Sequence, residues 1–352
     1  MELLGASQFR DLILNNIPII DVRAPVEFAQ GHLPNSVNFP ILNDEERKEI
    51  GTIYKQQGQA AAIQRGYELI SGDVKESRVN AWAQFVSQNP EAVLTCFRGG
   101  MRSKISQQWL AEKGFPRPRI EGGYKVFRQR LMDEIERLSK QKLCVISGPT
   151  GSGKSLVIQQ SYLFRTTVDL EKLAHHRGSA FGGHLEPQPT QSSFENLLAA
   201  ELLRMEKRYG FKQALVVEDE SRLIGRCAQP ENFFDQLRSS GIALIEEPLE
   251  SRVQVTFDDY IVNSPLIFSR FEKSLGGIQK KLGGLRYQEV LKDIERSKFL
   301  HQESGEIESN KVWIEKLLVW YYDPLYLNSL EKRQPQILFK GSRPQVLDFL
   351  KS

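Results

Sequence analysis

The sequence contains few cysteines, and none of them is placed to form a structural crosslink. Only three occur among 352 residues, at Cys96, Cys144 and Cys227. A disulfide-stabilised domain uses closely spaced cysteines in even number. Structural zinc sites commonly use Cys-x-x-Cys pairs, and this sequence has none. We therefore expect neither a disulfide framework nor a structural metal site.

Long apolar runs and a strong excess of charge are absent as well. No apolar run approaches the ~20 residues needed to span a bilayer, and residues 1–5 lack the basic and then apolar pattern of a secretory signal. The net charge is only +3, so composition alone does not indicate a nucleic-acid-binding protein. We expect a cytoplasmic protein with no membrane partner, in which any contact with RNA comes from local basic patches.

The length and the order of the predicted elements favour two α/β domains. A chain of 352 residues exceeds the usual size of one domain, ~100–200 residues. Short apolar strands at 17–22 and 92–95 alternate with helical stretches, which is typical of a parallel sheet. The polar residues 43–72 are predicted as a helical insertion. We place a first α/β domain at 1–138 and a second at 139–352, with a mostly helical C-terminal part.

The strand at 92–95 runs directly into Cys96, where a candidate anion-binding loop begins. Parallel sheets bind ligands at the carboxyl ends of their strands. Glycines let successive amides turn towards one point, and the start of the following helix adds positive potential. These features favour a thiolate, or a persulfide or perselenide anion, on Cys96. The residues assigned to this site are Cys96, Arg98, Gly99, Gly100, Arg102 and Ser103.

The alternative for any free cysteine is that it is a small buried hydrophobic residue. We predict this fate for Cys144, which lies in the middle of an apolar strand. Cys227 follows a Gly-Arg pair and is assigned no role.

Residues 148–155 match G-x-x-x-x-G-K-[ST], the P-loop pattern, between a predicted strand and a predicted helix. The loop amides can wrap a phosphate, Lys154 supplies a positive charge, and Ser155 can hold Mg²⁺. Arg177 lies in a His- and Gly-rich segment and can also meet phosphate. The predicted phosphate or diphosphate ligands are Gly148, Gly151, Ser152, Gly153, Lys154, Ser155 and Arg177.

A carboxylate at the end of a neighbouring strand usually completes the metal site of such a loop. Asp219, which follows the apolar strand at 214–217, is the first choice, and Asp169 is its rival. The alternative is that these acidic residues form a solvated turn. A metal site made from the histidines of 175–184 is disfavoured, because adjacent histidines seldom ligate one ion, and a loop without a ligand remains the other interpretation.

The first part of the chain resembles the rhodanese superfamily. The resemblance is carried by residues 21–28, by residues 31–36 and by the Cys96 loop. It implies that Cys96 carries the transferred sulfur or selenium. It also implies mainly structural roles for Asp21 and Arg23, and we interpret His32 in the same way.

A P-loop domain placed directly after a rhodanese-like domain is a restrictive combination. From about residue 1 to residue 350, the chain resembles the tRNA 2-selenouridine synthase family. The matching segments are 96–103, 148–155, 169–182, 188–191 and 321–326. The identity of the acidic metal partner is not fixed by this resemblance.

The family resemblance implies a reaction on tRNA. Selenium replaces sulfur at C2 of the 2-thiouridine at the wobble position of the anticodon, and selenophosphate is the donor. Geranyl diphosphate is a second co-substrate, which forms an S-geranyl-2-thiouridine intermediate. The resemblance thus implies a selenotransferase with tRNA geranyltransferase activity, in which Cys96 either carries selenium as a perselenide or guides it to C2. Whether the P-loop binds nucleotide, geranyl diphosphate or both, and whether Mg²⁺ takes part, stays open.

Contacts with tRNA and two rival functions complete the predictions. Lys280, Lys281 and Arg286 lie in a glycine-bearing stretch and either neutralise tRNA phosphates or form a solvated helix face. The aromatic residues of 320–326 either stack on bases or pack a C-terminal helix.

Two other functions are compatible with these motifs. One rival is a sulfurtransferase that uses thiosulfate or a persulfide and is coupled to an NTPase domain. The other is an RNA-binding P-loop protein with an inactive rhodanese-like domain.

Overall fold

The computed structural model describes residues 2–352, and the chain divides into two compact units. The first unit runs to Arg137 and also contains Pro189–Lys207, while the second contains Leu138–Gln188 and Arg208–Ser352. The boundary at residue 138 that the sequence predicts instead places 189–207 in the second domain. This segment joins the first unit because its side chains bond the His32 backbone: Ser193 Oγ accepts from the His32 amide at 3.2 Å, and the Asn196 amide group donates to the His32 carbonyl at 2.8 Å.

The sheet of the first unit has five parallel strands in the order β1-β5-β4-β2-β3. The strands are β1 (Leu3–Leu4), β2 (Ile19–Asp21), β3 (Ser36–Asn38), β4 (Val93–Thr95) and β5 (Arg119–Ile120). The central strand β4 is completely buried. Because all five strands run the same way, the carboxyl end of β4 opens at the edge where α/β sheets bind ligands.

Helices cover this sheet, and two of them form the predicted insertion. They are α1 (Phe9–Leu14), α2 (Pro25–Ala29), α3 (Asp44–Gln57), α4 (Gln59–Leu69), α5 (Gly72–Gln88), α6 (Met101–Glu112) and α7 (Gly123–Leu138). Asn43 caps α3 by accepting a 2.8 Å bond from the Glu46 amide. Gly58, with φ of +87°, allows the sharp turn into α4. The helices α3 and α4 therefore form a hairpin, which confirms the helical insertion at 43–72.

The second unit has its own five-stranded parallel sheet, in the order β12-β11-β6-β8-β7. Its strands are β6 (Leu143–Ser147), β7 (Thr167–Val168), β8 (Leu215–Glu218), β11 (Ile242–Ile245) and β12 (Ile337–Gly341), and a separate hairpin contains β9 (Leu223–Ile224) and β10 (Cys227–Ala228). The sequence did not reveal β12. This edge strand is largely exposed, so it lacks the apolar pattern that marks the buried strands.

The helices of the second unit lie mostly beyond residue 249, as predicted. The unit contains α8 (Lys154–Ser161), α9 (Leu170–Ala174), α11 (Glu231–Ser239), α12 (Leu249–Phe257), α13 (Phe268–Leu282), α14 (Gly284–Ser304), α15 (Asn310–Leu317), α16 (Asp323–Arg333) and α17 (Arg343–Lys351); α10 (Gln191–Tyr209) begins in the first unit. Short π-helices at Asp258–Val262 and Leu318–Tyr322 follow α12 and α15. Tyr321 belongs to the apolar core formed by these helices, and Trp320 and Tyr322 pack against it. None of the helices described within residues 2–352 has the length and apolar character needed to cross a membrane.

Candidate functional site

The carboxyl end of β4 delivers Cys96 into a tight loop. The Cys96 side chain is almost completely buried, and its Sγ donates a 3.2 Å hydrogen bond to Ser103 Oγ. The helix α6 begins at Met101, so its first amides have no partner within the helix and are available to an anion. Gly99 has φ of +63°, and a Cβ there would lie 2.8 Å from the Gly122 amide nitrogen. Only glycine fits that position.

A second glycine turn, which the sequence analysis missed, supports the Cys96 loop from behind. The Tyr124 amide donates to the Cys96 carbonyl at 2.9 Å, and the Lys125 amide donates to the Phe97 carbonyl at 3.0 Å. A Cβ on Gly123 would collide with the Cys96 carbonyl oxygen and the Gly99 nitrogen. The adjacent Gly122 and Gly123 at the start of α7 were the available signal.

The two arginines of the Cys96 loop differ in their availability. Arg102 Nη1 lies 2.5 Å from Glu27 Oε2. Burial opposes the charge of Arg102, but the bond to Glu27 outweighs it and raises the Arg102 pKa. Arg98 is exposed beside the Phe97 ring, and no carboxylate in the described part of the chain pairs with it. Arg98 is therefore the cation that is free to bind an anion.

The remaining residues of the rhodanese-like motif hold the loop in place. Asp21 and Arg23 form a buried ion pair at 2.7 Å, and Arg23 Nη2 donates to the Gly31 carbonyl at 2.8 Å. His32 stacks on Phe28, and burial lowers the His32 pKa. These contacts agree with the structural roles expected for the three residues.

The other two cysteines differ from Cys96. Cys144 lies inside β6, and burial raises its pKa to about 11. Burial also raises the pKa of Cys227. Cys144 is thus a core residue, as predicted.

In the second unit, β6 leads into the P-loop, and α8 begins at Lys154. Gly151 and Gly153 have φ of +78° and +83°. A Cβ on Gly151 would lie 2.5 Å from the Arg252 carbonyl oxygen. Lys154 Nζ donates to the Gly148 carbonyl at 3.1 Å, which places the ammonium group over the loop. Ser152 Oγ is buried without a hydrogen-bond partner. The strand, loop and helix have the arrangement that phosphate binding requires.

The carboxylate that meets the P-loop is Glu171, which the sequence analysis did not select. Ser155 Oγ donates a 2.6 Å hydrogen bond to Glu171 Oε2. The Glu171 amide donates to Glu218 Oε1 at 2.8 Å, and Glu218 lies at the carboxyl end of β8. The start of α9 therefore places the Glu171 carboxylate beside the Ser155 hydroxyl.

These acidic side chains are buried close together, and their negative charge is not fully compensated. Burial and the neighbouring carboxylates raise the Glu218 pKa well above its usual range. Burial and the charge of Glu171 raise the Glu220 pKa to about 8. Glu218 Oε2 is buried and has no hydrogen-bond partner. The charge of Lys154 acts on Glu171 and Glu220, but it does not offset the effects that raise the pKa of these two carboxyls.

Asp219 and Asp169, the carboxylates chosen from the sequence, have other contacts. Asp219 accepts from Ser147 Oγ at 2.6 Å and pairs with Arg333 at 2.8 Å. Asp169 caps α9 by accepting from the Lys172 amide at 2.8 Å. Asp219 is thus paired with an arginine from α16, whereas Glu171 is the carboxylate that contacts the P-loop hydroxyl.

Arg177 and the histidines near it are held by protein contacts. Arg177 Nε donates to Asp259 at 2.9 Å, and its guanidinium lies over the Tyr260 ring. The His175 and His184 rings stack on each other. Residues 2–352 contain no group of three or more His, Cys, Asp or Glu side chains arranged to hold a metal ion.

The three basic residues predicted to contact tRNA are exposed on α13 and α14. Lys280 and Lys281 occupy the last turn of α13. Arg286 lies 5.6 Å from the centroid of the Trp320 ring. The surface that they form is open to solvent and basic.

Comparisons with known families and proteins agree over the length of the chain. The family model described as the tRNA 2-selenouridine synthase AAA domain matches residues 141–352, and that of the rhodanese-like domain matches residues 6–130. These matches confirm the predicted order of the two domain types.

Curated relatives span nearly the whole chain. A tRNA 2-selenouridine synthase from Bdellovibrio bacteriovorus is 50% identical over 98% of this chain and 97% of its own length. The protein of that name from Nitrosomonas europaea is 46% identical over 99% and 98%, respectively. Among solved structures, the N-terminal domain of a putative ATP/GTP binding protein from Clostridium difficile 630 aligns with 37% of this chain and 99% of that chain at 29% identity, with a TM-score of 0.33. That score is too low to support an argument about the fold.

Proposed function

Because the chain belongs to the tRNA 2-selenouridine synthase family, we propose that it replaces sulfur by selenium at C2 of the wobble 2-thiouridine in the anticodon of tRNA. The supporting observation is one chain that joins a cysteine-centred anion loop, with Arg98 unpaired, to a P-loop. Selenophosphate donates the selenium, and geranyl diphosphate supplies the geranyl group of the S-geranyl intermediate. Since the substrate is tRNA, we expect the reaction to occur in the cytoplasm.

The P-loop supports the first step by holding the diphosphate of geranyl diphosphate. The sulfur of 2-thiouridine attacks C1 of the geranyl group, the C1–O bond breaks, and pyrophosphate leaves with the electron pair while N3 of the base loses a proton. Lys154 and the loop amides stabilise the charge that develops on the leaving group. A nucleotide binds the same loop through the same phosphate contacts, so it is expected to compete.

Mg²⁺ fits this loop because the Ser155 hydroxyl lies beside buried carboxylates whose charge Lys154 offsets only in part. Ser155 and Glu171 would hold the ion, and Glu218 Oε2, which has no partner, would support it. One or two carboxylates are sufficient, since Mg²⁺ takes its remaining ligands from water and phosphate. When bound, Mg²⁺ supplies charge that neutralises the diphosphate.

The Cys96 loop supports the second step, in which selenium displaces the alkylated sulfur. Alkylation turns a poor leaving group into a thioether on an electrophilic carbon. The selenium of selenophosphate attacks C2, the C2–S bond breaks, and geranyl thiol leaves after taking up a proton. Water then cleaves the Se–P bond and releases phosphate. These steps need no external oxidant or reductant.

Electron balance decides the role that we assign to Cys96. Transfer of selenium from selenophosphate onto the thiolate as a perselenide, with release of phosphate, requires a two-electron oxidation, and none of the substrates is an oxidant. We therefore assign Cys96 the role of guiding selenium rather than carrying it. Arg98 and the free amides at the start of α6 hold the phosphate part, and Cys96 fixes the position of the selenium beside C2.

Nucleoside mass spectrometry of tRNA from a deletion strain tests both loops. The strain is grown with selenium and complemented with the wild type, Cys96→Ala, Lys154→Ala or the control Cys144→Ala. We expect Cys96→Ala to accumulate S-geranyl-2-thiouridine and Lys154→Ala to retain 2-thiouridine, while Cys144→Ala resembles the wild type. Unchanged 2-selenouridine and S-geranyl-2-thiouridine in the deletion strain would contradict the function. Normal geranylation by Lys154→Ala would contradict the assignment of the diphosphate to the P-loop.

A further inference from the structure

A cavity of about 850 Å³ lies in the first unit between the α3–α4 hairpin and the Cys96 loop. This volume falls within the roughly 300–1,000 Å³ range of small-molecule sites. Its walls are mainly apolar and aromatic, and Cys96 and Arg98 are among the residues that line it. The apolar lining includes Ile50, Tyr54, Ile63, Tyr67, Ile105 and Trp109.

The hairpin leaves large side chains uncovered inside this cavity. Tyr54 is 57% exposed and Tyr67 is 45% exposed, although both line the cavity and neither lies at a chain terminus. A ligand that removes exposed aromatic rings from water lowers the free energy of the complex. The cavity is therefore suited to an apolar ligand that reaches Cys96.

The small anions of the reaction do not account for such a cavity. Selenophosphate is compact and charged, and Arg98 with the amides at the start of α6 offers it charge and hydrogen bonds without use of the apolar walls. An apolar chamber continuous with that loop is suited instead to an apolar group that is covalently attached next to the reacting carbon. The basic side chains Arg47, Lys48 and Lys55 also line the cavity, where they complement the phosphates of an RNA.

We propose that this cavity binds the geranyl chain of S-geranyl-2-thiouridine while C2 lies against the Cys96 loop. The inference rests on the proposed function, because the chain exists only if the base is alkylated first. The cavity then selects the activated base over plain 2-thiouridine, since only the alkylated base fills it. It also receives the geranyl thiol that leaves when the C2–S bond breaks.

The test compares the length of the S-alkyl group. Full-length protein is given selenophosphate and one of two anticodon stem-loop RNAs, which carry S-geranyl- or S-methyl-2-thiouridine, and kcat/KM for 2-selenouridine formation is measured. Each buried methylene group contributes roughly fourfold in affinity, so we expect the wild type to prefer the geranyl substrate by at least about tenfold.

Two variants and one control locate this preference. Ile63→Trp narrows the cavity, and we expect the geranyl-to-methyl ratio to fall severalfold. Tyr54→Ala removes an exposed lining ring, carries little risk of misfolding, and should lower the same ratio severalfold. Gln64→Trp adds the same bulk beside Ile63 on an exposed position that does not line the cavity, so its ratio should match that of the wild type.

The outcomes separate this inference from the function on which it rests. A wild type that converts both RNAs with equal kcat/KM, or a ratio unchanged in Tyr54→Ala and Ile63→Trp, overturns the geranyl cavity and leaves the selenotransferase intact. A wild type that forms no 2-selenouridine from either RNA overturns the proposed function itself. If Ile63→Trp loses activity on both substrates, the Tyr54→Ala ratio decides.

Discussion

Ser155 Oγ donates a 2.6 Å hydrogen bond to Glu171 Oε2, so the hydroxyl that a P-loop offers to a cation faces a carboxylate from the start of α9. Glu171 is itself positioned by the bond from its amide to Glu218 at the end of β8. These contacts connect the P-loop to two neighbouring parts of the same sheet edge. The proposed Mg²⁺ site therefore depends on Glu171, and its replacement tests that proposal.

Replacing Glu171 should weaken Mg²⁺-dependent binding of diphosphate. In Glu171→Gln, the cation loses a charged ligand, and we expect the affinity for pyrophosphate in the presence of Mg²⁺ to fall at least about tenfold, while metal-free binding changes little. Titration calorimetry with and without Mg²⁺ measures both. The matched control is Asp219→Asn, which should lower stability through Arg333 but keep the Mg²⁺ effect. If Asp219→Asn lost the Mg²⁺ effect and Glu171→Gln kept it, Asp219 would be the metal ligand.

The two arginines of the Cys96 loop should give different defects. Arg98→Ala removes an exposed, unpaired cation, so the KM for selenophosphate should rise roughly tenfold, in line with a charged hydrogen bond of about 1.5–3 kcal/mol, without loss of stability. Arg102→Ala leaves the half-buried Glu27 without its closest partner and should cost about 1–3 kcal/mol of unfolding free energy. Steady-state kinetics and chemical denaturation of both variants check this. Equal KM values for Arg98→Ala and the wild type would argue against the assignment.

Glu220 should make stability depend on pH. Burial raises its pKa to about 8 in the folded protein, above the unfolded value near 4.5. Between these pH values the folded state therefore binds more protons than the unfolded state. The free energy of unfolding is unaffected by Glu220 ionisation below about pH 4.5, and it falls as the pH rises towards 8. Glu220→Gln should raise Tm at pH 8 by at least about 2–4 °C, roughly the effect of 1 kcal/mol, and change it little at pH 5. Scanning calorimetry without Mg²⁺ measures this; an equal shift at both pH values would contradict it.

The exposed lysines at the end of α13 should contribute to tRNA binding through charge alone. Lys280→Ala and Lys281→Ala should each weaken tRNA affinity and reduce the slope of log Kd against log salt concentration by about one. Filter binding at several salt concentrations measures the slope. Lys113→Ala, an exposed lysine of the first unit, serves as the control and should leave the slope unchanged. Identical slopes for all three variants would show that Lys280 and Lys281 form only a solvated helix face.

Both reactive loops could be predicted because each is continuous in the chain. The strand, Cys96, Gly99 and the start of α6 follow one another within about ten residues, so local backbone preferences are enough to indicate the loop. The P-loop from Gly148 to Ser155 is equally local. The helical insertion at 43–72 and the core position of Cys144 could also be predicted, because the pattern of apolar and polar residues indicates which positions are buried.

The tertiary structure decided what depends on residues that are distant in the sequence. It paired Asp219 with Arg333 and Ser155 with Glu171, because the alignment of separate strands and helices determines which carboxylate reaches which partner. It placed Gly123 behind Cys96 and left Arg98 as the unpaired arginine. It also opened a cavity under the α3–α4 hairpin, and no local pattern predicts empty space, because a cavity is defined only by the side chains that surround it. The sequence by itself determined the position of the two loops, because each is local in the chain, whereas only the packing of distant segments decided which charges are paired and where a cavity lies.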